Sequence, residues 1–242
     1  MSNARFDVEA VFDAVDYGYF YGPLLTPERT ARDVDLIWSL LDLRAGAAVL
    51  DLACGHGRIT NPLAARGCTM TGLDVTPAFL DQARQGLAVE YVAGDMRALP
   101  WSERFDGILN WFTAYGYVED EDNRAVLTQA YQALKPGGTL LIDLNNRDYI
   151  LRHYQHAAVV EREDSFMIDR MRYDIATGRN YTERIIVRDG QVRRMRFFVR
   201  LLTYPELSAW LRQAGFAQVS GYDQDGQELT ANSRRMIVVA TK

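Results

Sequence analysis

Three apolar runs end beside a carboxylate: Val49-Leu50-Asp51-Leu52, Gly72-Leu73-Asp74 and, across a glycine, Val92-Ala93-Gly94-Asp95. The first continues into Ala53-Cys54-Gly55-His56-Gly57. Such a small-residue turn lets the backbone approach a ligand closely, because glycine lacks a Cβ. A pyrophosphate cradle would carry G-x-G-x-x-G, whereas here Gly55-x-Gly57-x-x-Thr60 lacks the third glycine. Asp51 would also sit badly beside a phosphate. The pattern suits a ligand that is positively charged. Asn110-Trp111-Phe112-Thr113 closes a fourth apolar run, and Asp143, Asn145 and Asn146 a fifth. One acid among these asparagines is thin for a magnesium ion. His56, His153 and His156 are too scattered for a zinc site, and Cys54 and Cys68 make neither a disulfide framework nor a metal site.

The elements that must position these residues alternate between strand and helix, which predicts an α/β fold around a parallel sheet. Strands are expected at 47–53, 68–74, 89–93, 105–111 and 139–144. Thr26-Pro27 and Thr76-Pro77 read as helix starts, and Asp120 or Asp122 as the cap of a helix ending at Lys135-Pro136-Gly137-Gly138. The period then changes. Residues 166–174, 180–188 and 191–202 alternate at period two, with turns at Thr177-Gly178 and Asp189-Gly190. This predicts a three-stranded antiparallel meander inserted into the α/β unit. Its odd positions, such as Met167, Ile185 and Phe197, read as an apolar face that packs on the main domain or across a homo-oligomer. Its even positions, such as Arg170, Arg184, Arg194 and Arg200, read as a solvated face. Thr203-Tyr204-Pro205-Glu206 predicts a capping box for a last helix ending near Gly215.

The chain has 242 residues and a formal net charge of −5, with 48% hydrophobic residues. That acidity argues against a nucleic-acid partner. Segment 151–200 holds eleven arginines against seven acidic residues, a local net of +4 that an anionic substrate could exploit. No apolar run approaches the ~20 residues that span a bilayer. The N-terminus lacks the pattern of a signal peptide, so neither membrane nor export is expected and the protein reads as cytoplasmic.

With these motifs in order over about residues 45–145, the chain resembles the class I S-adenosylmethionine-dependent methyltransferases. VLDLACGHGR is similar to their first motif, Leu73-Asp74 to the acidic ribose clamp, Ala93-Gly94-Asp95-Met96 to the adenine turn, and Leu134-Lys135-Pro136-Gly137-Gly138 to the turn before the fifth strand. The resemblance implies a Rossmann-like sheet with helices on both faces. It divides the chain into an N-terminal helical and aromatic lid (1–44), a cofactor-binding α/β core (45–150), the inserted sheet (151–202) and a C-terminal helix with the last two strands (203–242). S-adenosylmethionine is the implied cofactor, S-adenosylhomocysteine its product, with no metal. Asp51 would organise the loop near the methionine ammonium, to which Ala53 offers its carbonyl. Gly55 and Gly57 would permit close approach beside Cys54. Asp74 would accept from both ribose hydroxyls. Asp95 and Met96 would meet the adenine edge after Gly94, and Val75 and Met96 its faces. Asn110 and Trp111 would close the fourth-strand side, with Tyr21 and Arg29 approaching from the lid, Arg29 near the methionine carboxylate.

The aromatic N-terminal segment, the Trp111–Tyr117 loop and the insertion resemble small-molecule methyltransferases of bacterial specialised metabolism. This implies transfer to a nitrogen, oxygen or electron-rich carbon, with Tyr17, Phe20, Phe112, Tyr115 and His153 around the acceptor. Phe6 and Phe12 read as core aromatics. Tyr115, His153 and Tyr17 are the candidate catalytic groups, His153 as a base and His156 on the same helical face. A macromolecular methyltransferase and a non-catalytic cofactor-binding regulator are the alternatives.

Overall fold

The structure, a computed structural model, describes residues 11–84 and 89–242; Phe6 lies outside them. Five strands carry the α/β core: β1 (Ala48–Leu52), β2 (Thr69–Asp74), β3 (Glu90–Ala93), β4 (Phe105–Asn110) and β5 (Leu134–Asn145). Two more, β10 (Gln218–Tyr222) and β11 (Arg235–Thr241), complete a seven-stranded sheet in the order β10-β11-β5-β4-β1-β2-β3. Strand β11 runs antiparallel to both its neighbours, and the β1–β5 pairings are parallel. Chain order therefore reverses between β1 and β4, and the crevice beyond their C-terminal ends is where open α/β sheets bind ligands.

Helices α1 (Ala14–Tyr21), α2 (Pro27–Leu40), α3 (Thr60–Ala65), α4 (Pro77–Ala83), α5 (Asp120–Ala133), α6 (Arg147–Arg152) and α7 (Tyr204–Ala214) surround the sheets. The alternation of β1 divides its side chains between two cores. Leu50 and Leu52 pack with Leu127 and Leu211 of α5 and α7, whereas Val49 packs with Val34, Ile37 and Leu63 of α2 and α3. Asp51 is on the same face as Val49, which brings its carboxylate to Thr60 at the start of α3. The expected caps hold at Thr26 and at the Thr203/Glu206 box. Thr76 caps without a side-chain hydrogen bond, and Glu119 rather than Asp120 or Asp122 precedes α5.

The insertion differs from the expected meander. It has four strands, β6 (Ala157–Arg162), β7 (Ser165–Asp174), β8 (Arg179–Arg188) and β9 (Gln191–Arg200), paired antiparallel in that order. The first strand lacked a clean alternation in sequence. The face assignment also changes. Across the hairpins Arg184 pairs with Asp169 and with Met195, so an even residue of β8 shares a face with odd residues of β7 and β9. The odd positions are therefore split between both faces. Arg184 and Arg200 are buried, not solvated. Phe20 of α1 is buried against Met167 and Ile186, and Asp16 of the same helix pairs with Arg188 and Arg193. The Tyr19 hydroxyl donates to the Arg162 carbonyl (2.9 Å), while Arg162 returns a hydrogen bond to the Tyr19 carbonyl (2.5 Å).

Candidate active site

A cavity of about 1190 Å³ opens beyond the C-terminal ends of β1, β2, β3 and β4, closed on its outer side by α1 and the end of the inserted sheet. Asp51, Ala53, Cys54, Gly55, Asp74, Val75, Gly94, Asp95, Met96, Trp111 and Phe112 line it, as do Tyr17 and Tyr21.

The floor is a strained turn. Ala53 lies at φ 59° and Gly55 at φ 54°. A left-handed alanine carries a steric cost that loops at ligand sites commonly retain. A Cβ at Gly55 would meet no atom within 4 Å, so that face of the turn is open, whereas one at Gly57 would fall 2.6 Å from the Tyr91 hydroxyl. Gly57 thus serves packing beneath the turn and does not line the cavity.

The acids differ in their surroundings. Asp51 is fully buried, accepts from the Thr60 hydroxyl (2.6 Å), and is pushed up to about 7 by burial, with the Asp74 charge adding to the effect. Asp74 accepts the Gly55 N–H on one oxygen and the Thr76 N–H on the other, both at 2.8 Å. Each oxygen keeps a lone pair, which fits a vicinal diol. Burial raises its pKa against those hydrogen bonds. Asp95 is gripped by Arg97, whose Nε and Nη2 both reach its carboxylate, and this hydrogen bonding holds it below the usual carboxylate range. Asp95 therefore faces any adenine amino group with an arginine already on it.

The fourth-strand loop is built on Asp143. Its carboxylate accepts the Phe112 N–H (2.9 Å) and a guanidinium hydrogen bond from Arg235 Nε (2.8 Å), and its carbonyl accepts the Thr113 N–H (3.0 Å). Phe112 and Thr113 are both left-handed, at φ 65° and 58°. This reversal turns Tyr115 inward: it is fully buried, donates to the Asn123 carbonyl (2.7 Å) and does not line the cavity. Asn110 is buried beneath the site, donating to the Leu52 carbonyl (3.1 Å), with its Oδ1 unpartnered. Trp111 bridges the cavity wall and the α2/α3 core.

Several expected residues stand elsewhere. Helix α6 ends at Arg152, so His153 caps it and does not share a helical face with His156. His153 is exposed, stacks on Tyr149 at 4.2 Å and lies outside the cavity lining. Phe20 is spent in the contact with the inserted sheet. Arg29 donates to the Leu24 carbonyl and covers the Phe112 ring at 5.3 Å without lining the cavity. Arg58, inside the quoted VLDLACGHGR run but not singled out there, does line it. Its Nη1 donates to Asp33 (2.7 Å), its guanidinium also lies over the Phe112 ring at 5.5 Å, and its Nη2 is buried with no hydrogen-bond partner.

Tyr17 packs on Tyr21 (5.0 Å), Phe79 (5.3 Å) and His56 (6.0 Å) and is pushed up to about 12 by burial, with Arg58 opposing. His56 is held below its ordinary value by burial and by Arg58. Phe12, Tyr117, Phe198 and Arg179 complete the wall opposite the acids; only the Trp111–Tyr117 loop was legible there. Cys54 and Cys68 are free and buried. Among the described residues no His, Cys, Asp and Glu group could hold a metal ion, and no helix is long and apolar enough to cross a membrane.

Residues 49–138 match the methyltransferase domain family. A carboxy-S-adenosyl-L-methionine synthase of Chromohalobacter salexigens is 31% identical over 195 residues, covering 75% of this chain and 66% of its own length, just under two thirds. A methyltransferase structure from Clostridium acetobutylicum superposes with a TM-score of 0.79 at 17% identity, covering 94% of this chain and 98% of that one. CalS10 of Micromonospora echinaspora, an amino pentose methyltransferase, gives a TM-score of 0.64 at 22% identity, covering 100% and 99%. Motif order, sheet order and the family match agree: residues 49–138 match the methyltransferase domain family, and the chain has the fold of the class I S-adenosylmethionine-dependent methyltransferases.

Proposed function

We propose that the protein transfers a methyl group from S-adenosylmethionine to a nitrogen, oxygen or electron-rich carbon of a small molecule. The observation that carries this reading is the convergence of Asp51, Asp74 and Asp95 with the left-handed Ala53–Gly55 turn on one cavity, inside the methyltransferase domain. The residues present fit the cofactor. Asp74 has one free lone pair on each oxygen for the ribose, Asp51 offers negative charge near an ammonium, and the exposed side chain of Val75 offers an apolar plate for the adenine. The unpartnered Nη2 of Arg58 makes it the better donor to the methionine carboxylate than Arg29. Bound S-adenosylmethionine would supply an electrophilic methyl group on its sulfonium.

The chain's own contribution is alignment and exclusion of water. Tyr17 closes the cavity from α1 against His56 and Phe79, and the ring faces of Phe12, Tyr117 and Phe198 suit a planar acceptor. His153 and Tyr115 have no place in this account. The acidic net charge supports a small molecule over nucleic acid, and the printed role of CalS10 in calicheamicin biosynthesis supports, through fold alone, a place in specialised metabolism. A second reading comes from the 31% identical relative, whose name describes a modified cofactor as product.

Mass spectrometry of reactions containing methyl-labelled S-adenosylmethionine and a panel of amines, phenols and indoles tests the first, and the same cofactor with a panel of carboxylic acids as carboxyl donors tests the second. Label in an acceptor with release of S-adenosylhomocysteine supports methyl transfer. A heavier, carboxylated nucleoside supports the second reading. Calorimetry showing tight NAD binding and none of S-adenosylhomocysteine removes both.

A further inference from the structure

Arg184 is a buried arginine on the face of the inserted sheet that meets α1. Its Nε and Nη2 donate to the two carboxylate oxygens of Asp169, both at 2.7 Å, and Nη2 also donates to the Tyr21 hydroxyl at 2.9 Å. A guanidinium can only donate. The Tyr21 oxygen is therefore the acceptor in that contact, and its proton is left for a partner on the other side. Tyr21 also lines the cavity, and among the described residues no protein group accepts that proton. The charged and titratable groups around it are Tyr17 on α1, Asp169 and Arg184 on the inserted sheet, and Tyr117 on the fourth-strand loop. Burial keeps the Tyr21 phenol protonated, against the pull of Arg184.

Resting on the methyltransferase reading above, we propose that Tyr21 is a hydrogen-bond donor to an oxyanion of the acceptor, so that the substrate class is phenolic or enolic, with Arg184 and Asp169 as positioning residues. A phenol whose oxygen already accepts from a cation is a stronger donor than a free one. In an aromatic-walled cavity such a donor favours an acceptor that carries negative charge on oxygen. An amine would instead call for an acceptor group. Of the acids that line the cavity beyond the three strand-end aspartates, Glu119 is exposed and paired with Arg179, and Asp122 is paired with Arg97.

The test uses the full chain loaded with S-adenosylhomocysteine and two chromophoric probes of similar shape, 4-nitrophenolate and 4-nitroaniline, at a pH where free 4-nitrophenol is ionised. Wild type is expected to bind the phenolate about ten- to a hundredfold more tightly than the aniline, the range for a hydrogen bond to a charged group. Tyr21→Phe removes only the hydroxyl, and should erase that ratio in a folded protein that still binds S-adenosylhomocysteine, with a lowered melting temperature because Arg184 loses an acceptor. Arg184→Lys keeps the charge but not the fork, and should leave an intermediate ratio. A purely structural role would weaken both probes alike and leave the ratio intact. No preference in wild type, including failure of both probes to bind, overturns the proposal, as does an undiminished ratio in Tyr21→Phe. An undiminished ratio in Arg184→Lys removes Arg184 and Asp169 from it. Failure of S-adenosylhomocysteine to bind at all would instead strike the methyltransferase reading.

Discussion

On the β1–β2–β3 side of the cavity the backbone holds the site. Asp74 is fixed by two N–H groups, Ala53 and Gly55 are left-handed, and the segments involved fall within 51–97. On the opposite side the wall comes from α1, the fourth-strand loop and the inserted sheet, joined by side chains up to 177 residues apart, as in the Asp16–Arg193 pair. The first half is a short stretch of chain folded on itself, and the second is an agreement among distant segments. A ligand common to many proteins can be met by the first kind of construction, while the second kind is free to vary with the acceptor.

That contrast can be broken most forcefully at Arg184. Arg184→Met leaves Asp169 without its partner inside the sheet–α1 contact, and should lower unfolding free energy by about 3–5 kcal/mol in urea titrations, the usual cost of breaking a buried pair. If the two halves are independent, S-adenosylhomocysteine affinity measured on the folded protein stays as in wild type; a parallel loss would merge them. Asp74→Ala acts on the other half. Calorimetry should show cofactor-product binding weakened by about 1.5–3 kcal/mol, with the inserted sheet's stability untouched.

A subtler effect is expected at Asp51. Its folded pKa of about 7 lies above the ordinary 3.8, so between these values the folded state holds the extra proton. Stability therefore declines as pH rises from about 4 to about 7. Asp51→Asn should flatten this slope in melting temperatures taken across that window, and binding of a cationic cofactor to wild type near neutrality should release protons, seen as buffer-dependent heats. The smallest effect belongs to His153→Ala, an exposed change outside the cavity: stability within about 0.5 kcal/mol and unaltered turnover. A large, pH-dependent rate loss there would return it to the site.

The legibility of the sequence follows the same division. The strand, turn and helix around Asp51 are contiguous, so their order and spacing carried the β1–β2–β3 side of the cavity, and the strand–helix alternation carried the main sheet. Tyr115 was misplaced because spacing along a loop does not reveal its direction, which two successive left-handed residues reverse. The inserted sheet was misread at its faces because parity is not preserved through the hairpins, where Arg184 pairs with Asp169. Arg58 was inside a quoted motif, but its value depends on Asp33 and Phe112 arriving from other elements.

The contact between α1 and the inserted sheet has a consequence for transplantation. Asp16, Tyr19 and Phe20 are spoken for by Arg188, Arg193, Arg162, Met167 and Ile186. A chimera that moves residues 157–200 onto a foreign core without residues 13–21 would carry an uncovered apolar patch and unmatched arginines into its new host. The two segments are far apart in the chain yet packed together, so a chimera that moves the inserted sheet with its partner has to cut the chain in two places at once.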